Sequence, residues 1–164
     1  MDRSDDPSQW IDFMSYWSTL PTIQQQREQL KANLNINAQS NILIAGCGTG
    51  EVSQLFSEGD YSKITGIDIS DYMIQYARQH YERKNILFQQ DDLTKLNIPD
   101  KSYDCIWVER VLHHVTNVET VLSQLSRLLK PDGQLVIAEP YIPSTIITPI
   151  SLISSQDFAN EWCR

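Results

Sequence analysis

The residues with the clearest chemical purpose are three alternate glycines, Gly46, Gly48 and Gly50, which close the apolar run Ile42-Leu43-Ile44-Ala45. A buried parallel strand hands the chain to such a loop where a nucleotide-type ligand must touch bare backbone. A Cβ would block that approach, and some positions of the turn call for positive φ, which glycine tolerates. Roughly twenty residues further on, the distance at which dinucleotide sites place their ribose acid, stands Thr65-Gly66-Ile67-Asp68-Ile69. It reads as a second apolar strand ending in an acid, and a carboxylate at a strand tip suits the two hydroxyls of a ribose. Loop and acid together imply an adenosine-containing ligand.

Two further groups could do chemistry. Asp91-Asp92-Leu93 offers a carboxylate followed by a backbone N–H, which an adenine needs for its amino group and its ring nitrogen. The same residues suit a solvated turn. Glu109, Arg110, His113 and His114 form the second group. Histidine as a residue type exchanges protons near neutral pH, but a histidine pair can also simply fill a turn. His80 reads as a solvated helix residue, and Cys47, with no adjacent histidine, as a packing residue.

Elements of alternating type must hold these groups. Strands are expected at 41–45, 64–67, 85–88, 103–108 and 134–138. An aromatic-rich helix is expected at 10–17, and a second opens at Pro21 with Ile23, Leu30 and Leu34 on one face. A helix should rise from the glycine loop over 51–57, and another runs from the N-cap Ser70 to Tyr81. Thr116-Asn117-Val118-Glu119 reads as a capping box ahead of a stripe of Val118, Val121, Leu122, Leu125, Leu128 and Leu129. Pro131-Asp132-Gly133 should end that helix in a turn. Strands alternating with helices imply a parallel sheet covered on both faces.

Composition narrows the class. The 164 residues, 41% hydrophobic and 21% charged, fit one soluble globular domain. The net charge of −8 argues against nucleic acid as the main partner. Three separated cysteines, Cys47, Cys105 and Cys163, have no metal-ligand spacing, which argues against structural zinc and points to reduced thiols in a cytoplasm. The acidic start lacks the pattern of a signal peptide. The stretch 141–156, broken by Pro143 and Pro149, is too short for a membrane span.

The motifs in order are the glycine loop, Gly66-Ile67-Asp68-Ile69-Ser70 with Met73 after it, Asp91-Asp92-Leu93, the run from Leu96 to Asp104, Val111-Leu112-His113-His114-Val115 and Leu128-Leu129-Lys130-Pro131-Asp132-Gly133. In that order and spacing the chain resembles the class I S-adenosylmethionine (SAM)-dependent methyltransferases, in the small-molecule branch with a GCGTG loop. The resemblance covers about residues 10 to 140. It implies an α/β fold, a Rossmann-like doubly wound and mostly parallel sheet with helices on both faces. Residues 36–140 would form the SAM-binding core of a single structural domain. Residues 1–35 would be an N-terminal helical cap, and 141–164 a C-terminal apolar cap or lid.

The resemblance also implies roles. The backbone of Gly46, Cys47 and Gly48 would pass beneath the methionine part of SAM, with Gly50 completing the loop. Asp68 would hold the ribose, and Ile69 and Met73 would pack around the adenine. Asp92, or alternatively Asp91, would accept from the adenine amino group, and the Leu93 N–H would donate to the ring. His113 would lie nearest the substrate, as a general base where the acceptor carries a proton. The dehydrogenase fingerprint GxGxxG is a poorer fit, because its sixth position here is Glu51.

Two departures stand out. The family usually carries an acid two residues before the first glycine, tied to the cofactor's ammonium; this chain has Ile44. Glu109 or a backbone carbonyl would take that role. The family's last two strands are also missing from the readable pattern, which places strand five at or near the sheet edge. The tail, with Phe158 and Trp162 one helical turn apart, or a homo-oligomer or partner, would then cover it. The expected function is methyl transfer to a small-molecule acceptor. The competing reading is a catalytically silent or truncated SAM-binding module that works through a partner.

Overall fold

A computed structural model describes residues 7–57, 59, 61, 63–141 and 146–154. The chain opens with two helices, α1 (Pro7–Thr19) and α2 (Pro21–Ala32), and Pro21 sits in the first turn of α2, where its missing N–H costs nothing. There follow β1 (Asn41–Ala45), a 3-10 segment (Glu51–Phe56), β2 (Lys63–Asp68), α3 (Asp71–Tyr81) and β3 (Ile86–Gln90). The second half holds β4 (Tyr103–Glu109), a short 3-10 turn (Leu112–His114), α4 (Val118–Leu128), β5 (Leu129–Tyr141) and β6 (Ile146–Ser154).

The six strands form one sheet in the order β3-β2-β1-β4-β5-β6. The first five are parallel, and β6 runs antiparallel to β5. Side chains alternate between two cores because successive residues of a strand face opposite ways. Leu43, Ala45, Ile106, Val108, Leu135 and Ile137 face α4, whose Val121, Leu122, Leu125 and Leu128 form the facing stripe. Ile42, Ile44, Ile64, Cys105, Trp107 and Val136 face the other way, onto Leu30 of α2, Phe56, and Ile74 and Ala77 of α3. The expected doubly wound parallel sheet is thus present, with its central strands β1, β2 and β4 buried on both faces and β3 on one.

Several local expectations need correction. Residues 51–56 are a 3-10 segment rather than an α-helix, entered from Gly50 in a left-handed conformation. The N-cap of α4 is Asn117, whose side chain accepts the Thr120 N–H at 3.0 Å, one residue after the expected Thr116. Asparagine caps at least as well as threonine. Pro131-Asp132-Gly133 lies inside β5 as an irregularity: Leu129 pairs with Tyr103, the register then shifts, and Gln134 pairs with Cys105. Asp132 absorbs the extra length at φ 66.

Strand five lies one place in from the sheet edge, near it as expected, and residues after it do fold back along it. The correction is that they do so as a strand. Residues 146–154, expected within a cap or lid, pair along it from Tyr141↔Ile146 to Gln134↔Ser154. The backbone groups of β5 on that side are therefore met by this chain, and that edge supplies no reason for a homo-oligomer or covering partner. Isoleucine and serine alternation weakened by Pro149 hid the strand in the sequence. Phe158, Trp162 and Cys163 lie outside the described residues.

Candidate functional site

Strand order makes the site before any side chain is considered. β1 connects on one side to β2 and on the other to β4, so the chain leaves β1 and β4 in opposite directions. A crevice opens at the carboxyl ends of two such strands, and open α/β sheets bind their ligands there. A cavity lies at that point. Ile44, Gly46 and Cys47 line it from β1 and its loop, and Glu109 and Arg110 from the end of β4. Glu51 and His114 also border it, and α1 closes it with Trp10, Phe13 and Met14.

The glycine loop is shaped for close approach. Gly46, Gly48 and Gly50 have φ of 71°, 51° and 91°. A Cβ on Gly46 would stand 2.3 Å from the side chain of Val111, and one on Gly48 would meet Met14 of α1 at 2.6 Å. The N–H groups of Gly46 and Cys47 donate to the Ile67 carbonyl at 2.7 and 2.8 Å, and that of Gly48 to Asp68 Oδ2 at 2.8 Å. The loop is therefore tied to β2 through its amides, and what it offers a ligand is bare backbone. Gly46→Ala should lower unfolding free energy by about 1–3 kcal/mol, the range for a non-glycine residue held at such a φ. Urea unfolding measures it, and an unchanged midpoint would refute the requirement for glycine.

Asp68 ends β2 beside this loop. Its Oδ1 accepts the Ser70 N–H at 2.9 Å while Oδ2 accepts Gly48. A carboxylate has about four acceptor positions, so two remain for hydroxyl donors. Ile69 is 68% exposed, an apolar side chain presented to solvent next to the acid. Met73 lies in the first turn of α3, whose N-cap Ser70 accepts the Met73 N–H at 3.4 Å. The Asp91 N–H donates to the Asp68 carbonyl at 3.0 Å, which brings the loop after β3 to the same end of the sheet. There Asp92 Oδ1 accepts both the N–H and the hydroxyl of Thr94, at 2.9 and 2.7 Å. Those bonds, led by the Thr94 hydroxyl, hold the Asp92 carboxyl below the usual range. Leu93 is packed in the core at 9% exposure.

Glu109 and the histidines differ from expectation. Glu109 is not an open acceptor. Arg27 of α2 binds it through Nε at 3.1 and 3.0 Å and through Nη2 at 2.8 Å, and Trp107 Nε1 donates to it at 3.0 Å. The two side chains of this ion pair are only 12% and 10% exposed. His113 is not among the residues that line the cavity, as His114 is; its Nδ1 lies 2.6 Å from Glu139 Oε2, and its side chain is 33% exposed just beyond the lining. The other oxygen of Glu139 accepts the N–H groups of Val111 and Leu112, each at 2.8 Å. Arg110 adopts φ 58° and lays its guanidinium over the Trp17 ring, 4.4 Å from the centroid. Burial lowers its pKa, opposed by Glu109. Burial, and then the Asp68 charge, raises the Cys47 thiol well above its ordinary value, so it is no nucleophile at neutral pH.

Three site residues escaped sequence reasoning. Arg27 lies 82 positions from Glu109, and nothing local joins them. Glu139 follows the last readable strand residue, a position that could have suggested it. Glu51 directly follows the glycine loop, where the sequence marks it only as a break in the dehydrogenase fingerprint.

Residues 43–137 match the family described as methyltransferase domain. The demethylmenaquinone methyltransferase of Tropheryma whipplei (strain Twist) is 35% identical over 117 residues, 71% of this chain and 48% of that protein. The S-adenosyl-L-methionine-dependent Diels-Alderase iccD of Talaromyces variabilis is 32% identical over 132 residues, 75% of this chain and 45% of that protein. An S-adenosylmethionine-dependent methyltransferase structure from Mesorhizobium loti superposes with a TM-score of 0.63 at 28% identity, covering 69% of this chain and 52% of that one. The chain spans about half the length of the curated relatives it matches. Among the described residues no helix is long and apolar enough to cross a membrane.

Proposed function

From the premise that this chain belongs to the class I methyltransferase domain family, we propose that it binds SAM and transfers its methyl group to a small-molecule acceptor. The observation that carries this reading is the positive-φ glycine loop joined to Asp68 at the switch point of the sheet. Bare backbone, a ribose acid with two acceptor positions left and the exposed Ile69 suit an adenosine cofactor. Asp68 would hold the ribose hydroxyls, Ile69 and Met73 would flank the adenine, and Asp92 and the Leu93 N–H would meet its polar edge. Gly46, Cys47, Gly48 and Gly50 would run beneath the amino-acid arm.

When bound, SAM supplies an activated methyl group on a sulfonium. The protein's part is positioning, desolvation and, for a protonated acceptor, a base. Helices α1 and α2 serve as a cap, with Met14 lying against the glycine loop and aromatic side chains excluding water from the cavity. His113 is the base and Glu139 its positioning residue. A short Nδ1 contact to a carboxylate selects the Nδ1–H tautomer and leaves Nε2 to accept a proton. The small acceptor agrees in class only with the demethylmenaquinone for which the Tropheryma relative is named. Buried free thiols at Cys47 and Cys105 support a reducing cytoplasm.

A thermal-shift series tests the cofactor. SAM and its demethylated product should raise the melting temperature, because a ligand of the folded state stabilises it by mass action, by about 2.7 kcal/mol at a hundredfold excess over Kd. NAD should leave it unchanged, and a shift with NAD alone would refute the reading. Transfer of labelled methyl from SAM, in an acceptor panel, then separates methyl transfer from a silent module or a cyclase-like relative.

A further inference from the structure

The substitution of Ile44 leaves the cofactor's ammonium without its usual acid, and Ile44, at 2% exposure, borders the cavity with no polar group. Four charged side chains, Arg27, Glu51, Glu109 and Arg110, face the same space. Glu109 is already neutralised by Arg27 and capped by Trp107. Arg110 is a cation. Glu51 remains. Its Oε1 accepts the Ser15 hydroxyl at 2.7 Å, and its Oε2 accepts the Thr49 hydroxyl. Both donors are neutral. Among the described residues no Lys, Arg or His lies within ion-pair distance of Glu51.

We propose that Glu51 is the residue that binds the α-ammonium of the cofactor, replacing from behind the glycine loop the acid that β1 lacks at Ile44. A half-buried carboxylate held in place by two hydroxyls, with acceptor positions left over and no cation paired with it among the described residues, suits a primary ammonium. Ser15 and Thr49 fix its rotamer from α1 and from the loop, so the acceptor is oriented before the ligand arrives. Glu51 borders the cavity beside Gly46 and Cys47, the segment assigned to the amino-acid arm. The inference rests on the SAM reading above.

Calorimetry with two probes separates the alternatives. S-adenosylhomocysteine carries the ammonium; 5′-methylthioadenosine has the same adenosine and thioether without it. Glu51→Gln should raise the Kd for S-adenosylhomocysteine at least about tenfold, the value of a charged hydrogen bond, and leave that for methylthioadenosine within about twofold. Glu51→Asp, which keeps the charge, should bind S-adenosylhomocysteine more tightly than Glu51→Gln does. Glu51→Ala provides the same comparison should the glutamine variant fail to fold. Equal binding of S-adenosylhomocysteine by wild type and Glu51→Gln, or an equal loss for both probes, would overturn the assignment. Wild-type protein that binds neither probe would overturn the SAM reading itself and this assignment with it.

Discussion

Arg27→Ala is expected to lower the unfolding free energy by about 3–5 kcal/mol, the cost of leaving one member of a buried ion pair without the other. For a domain of this length that corresponds to a melting temperature lower by roughly 6–20 °C. The size follows from burial. At 12% and 10% side-chain exposure, neither charge is solvated well enough to stand alone. Three nitrogen–oxygen contacts join Arg27 and Glu109, and Arg27 also donates to Ser18 at 3.3 Å. Removal of the guanidinium leaves Glu109, among the described residues, with the Trp107 indole as its remaining side-chain donor. The double variant Arg27→Met, Glu109→Gln should recover much of the loss, because it removes both charges and keeps an acceptor for Trp107. Urea unfolding of the three proteins is the measurement. A loss below about 1 kcal/mol for Arg27→Ala, the range of an exposed pair, would show that water reaches this carboxylate.

The same pair marks the limit of what the sequence displayed. Elements whose signal is local were legible. The stripe of α4 and the five parallel strands could be read because apolar period and strand burial are written within ten residues or so of one another. The glycine loop and Asp68 were legible for a related reason: a strand that ends in a tight turn must announce it with glycine. What could not be read is what crosses the fold. Arg27 meets Glu109 because α2 packs beside the carboxyl end of β4, a relation set by sheet order rather than by spacing. β6 was hidden differently. Its pairing is antiparallel to β5, and its pattern carries a proline, so neither period nor composition separated it from a loop.

The histidines illustrate the same boundary within the site. Their position after β4 was visible, but their direction depends on Glu139, which reaches them from β5 and holds the turn by accepting the Val111 and Leu112 N–H groups. His113→Ala is expected to reduce methyl transfer to a protonated acceptor by about 10²–10⁴-fold, the usual worth of a general base, while binding of S-adenosylhomocysteine stays within about twofold. Stability should change little, because the His113 side chain is 33% exposed. Glu139→Gln should give a smaller loss of turnover with an altered pH profile, since the neutral amide no longer stabilises an imidazolium formed at His113. Single-turnover rates across pH, set beside unfolding curves, make the comparison. Full activity in His113→Ala would remove it from the chemistry. A loss confined to His114→Ala would transfer the role to the histidine that borders the cavity. A parallel fall in stability and turnover for His113→Ala would leave the pair with Glu139 as a brace for the turn after β4.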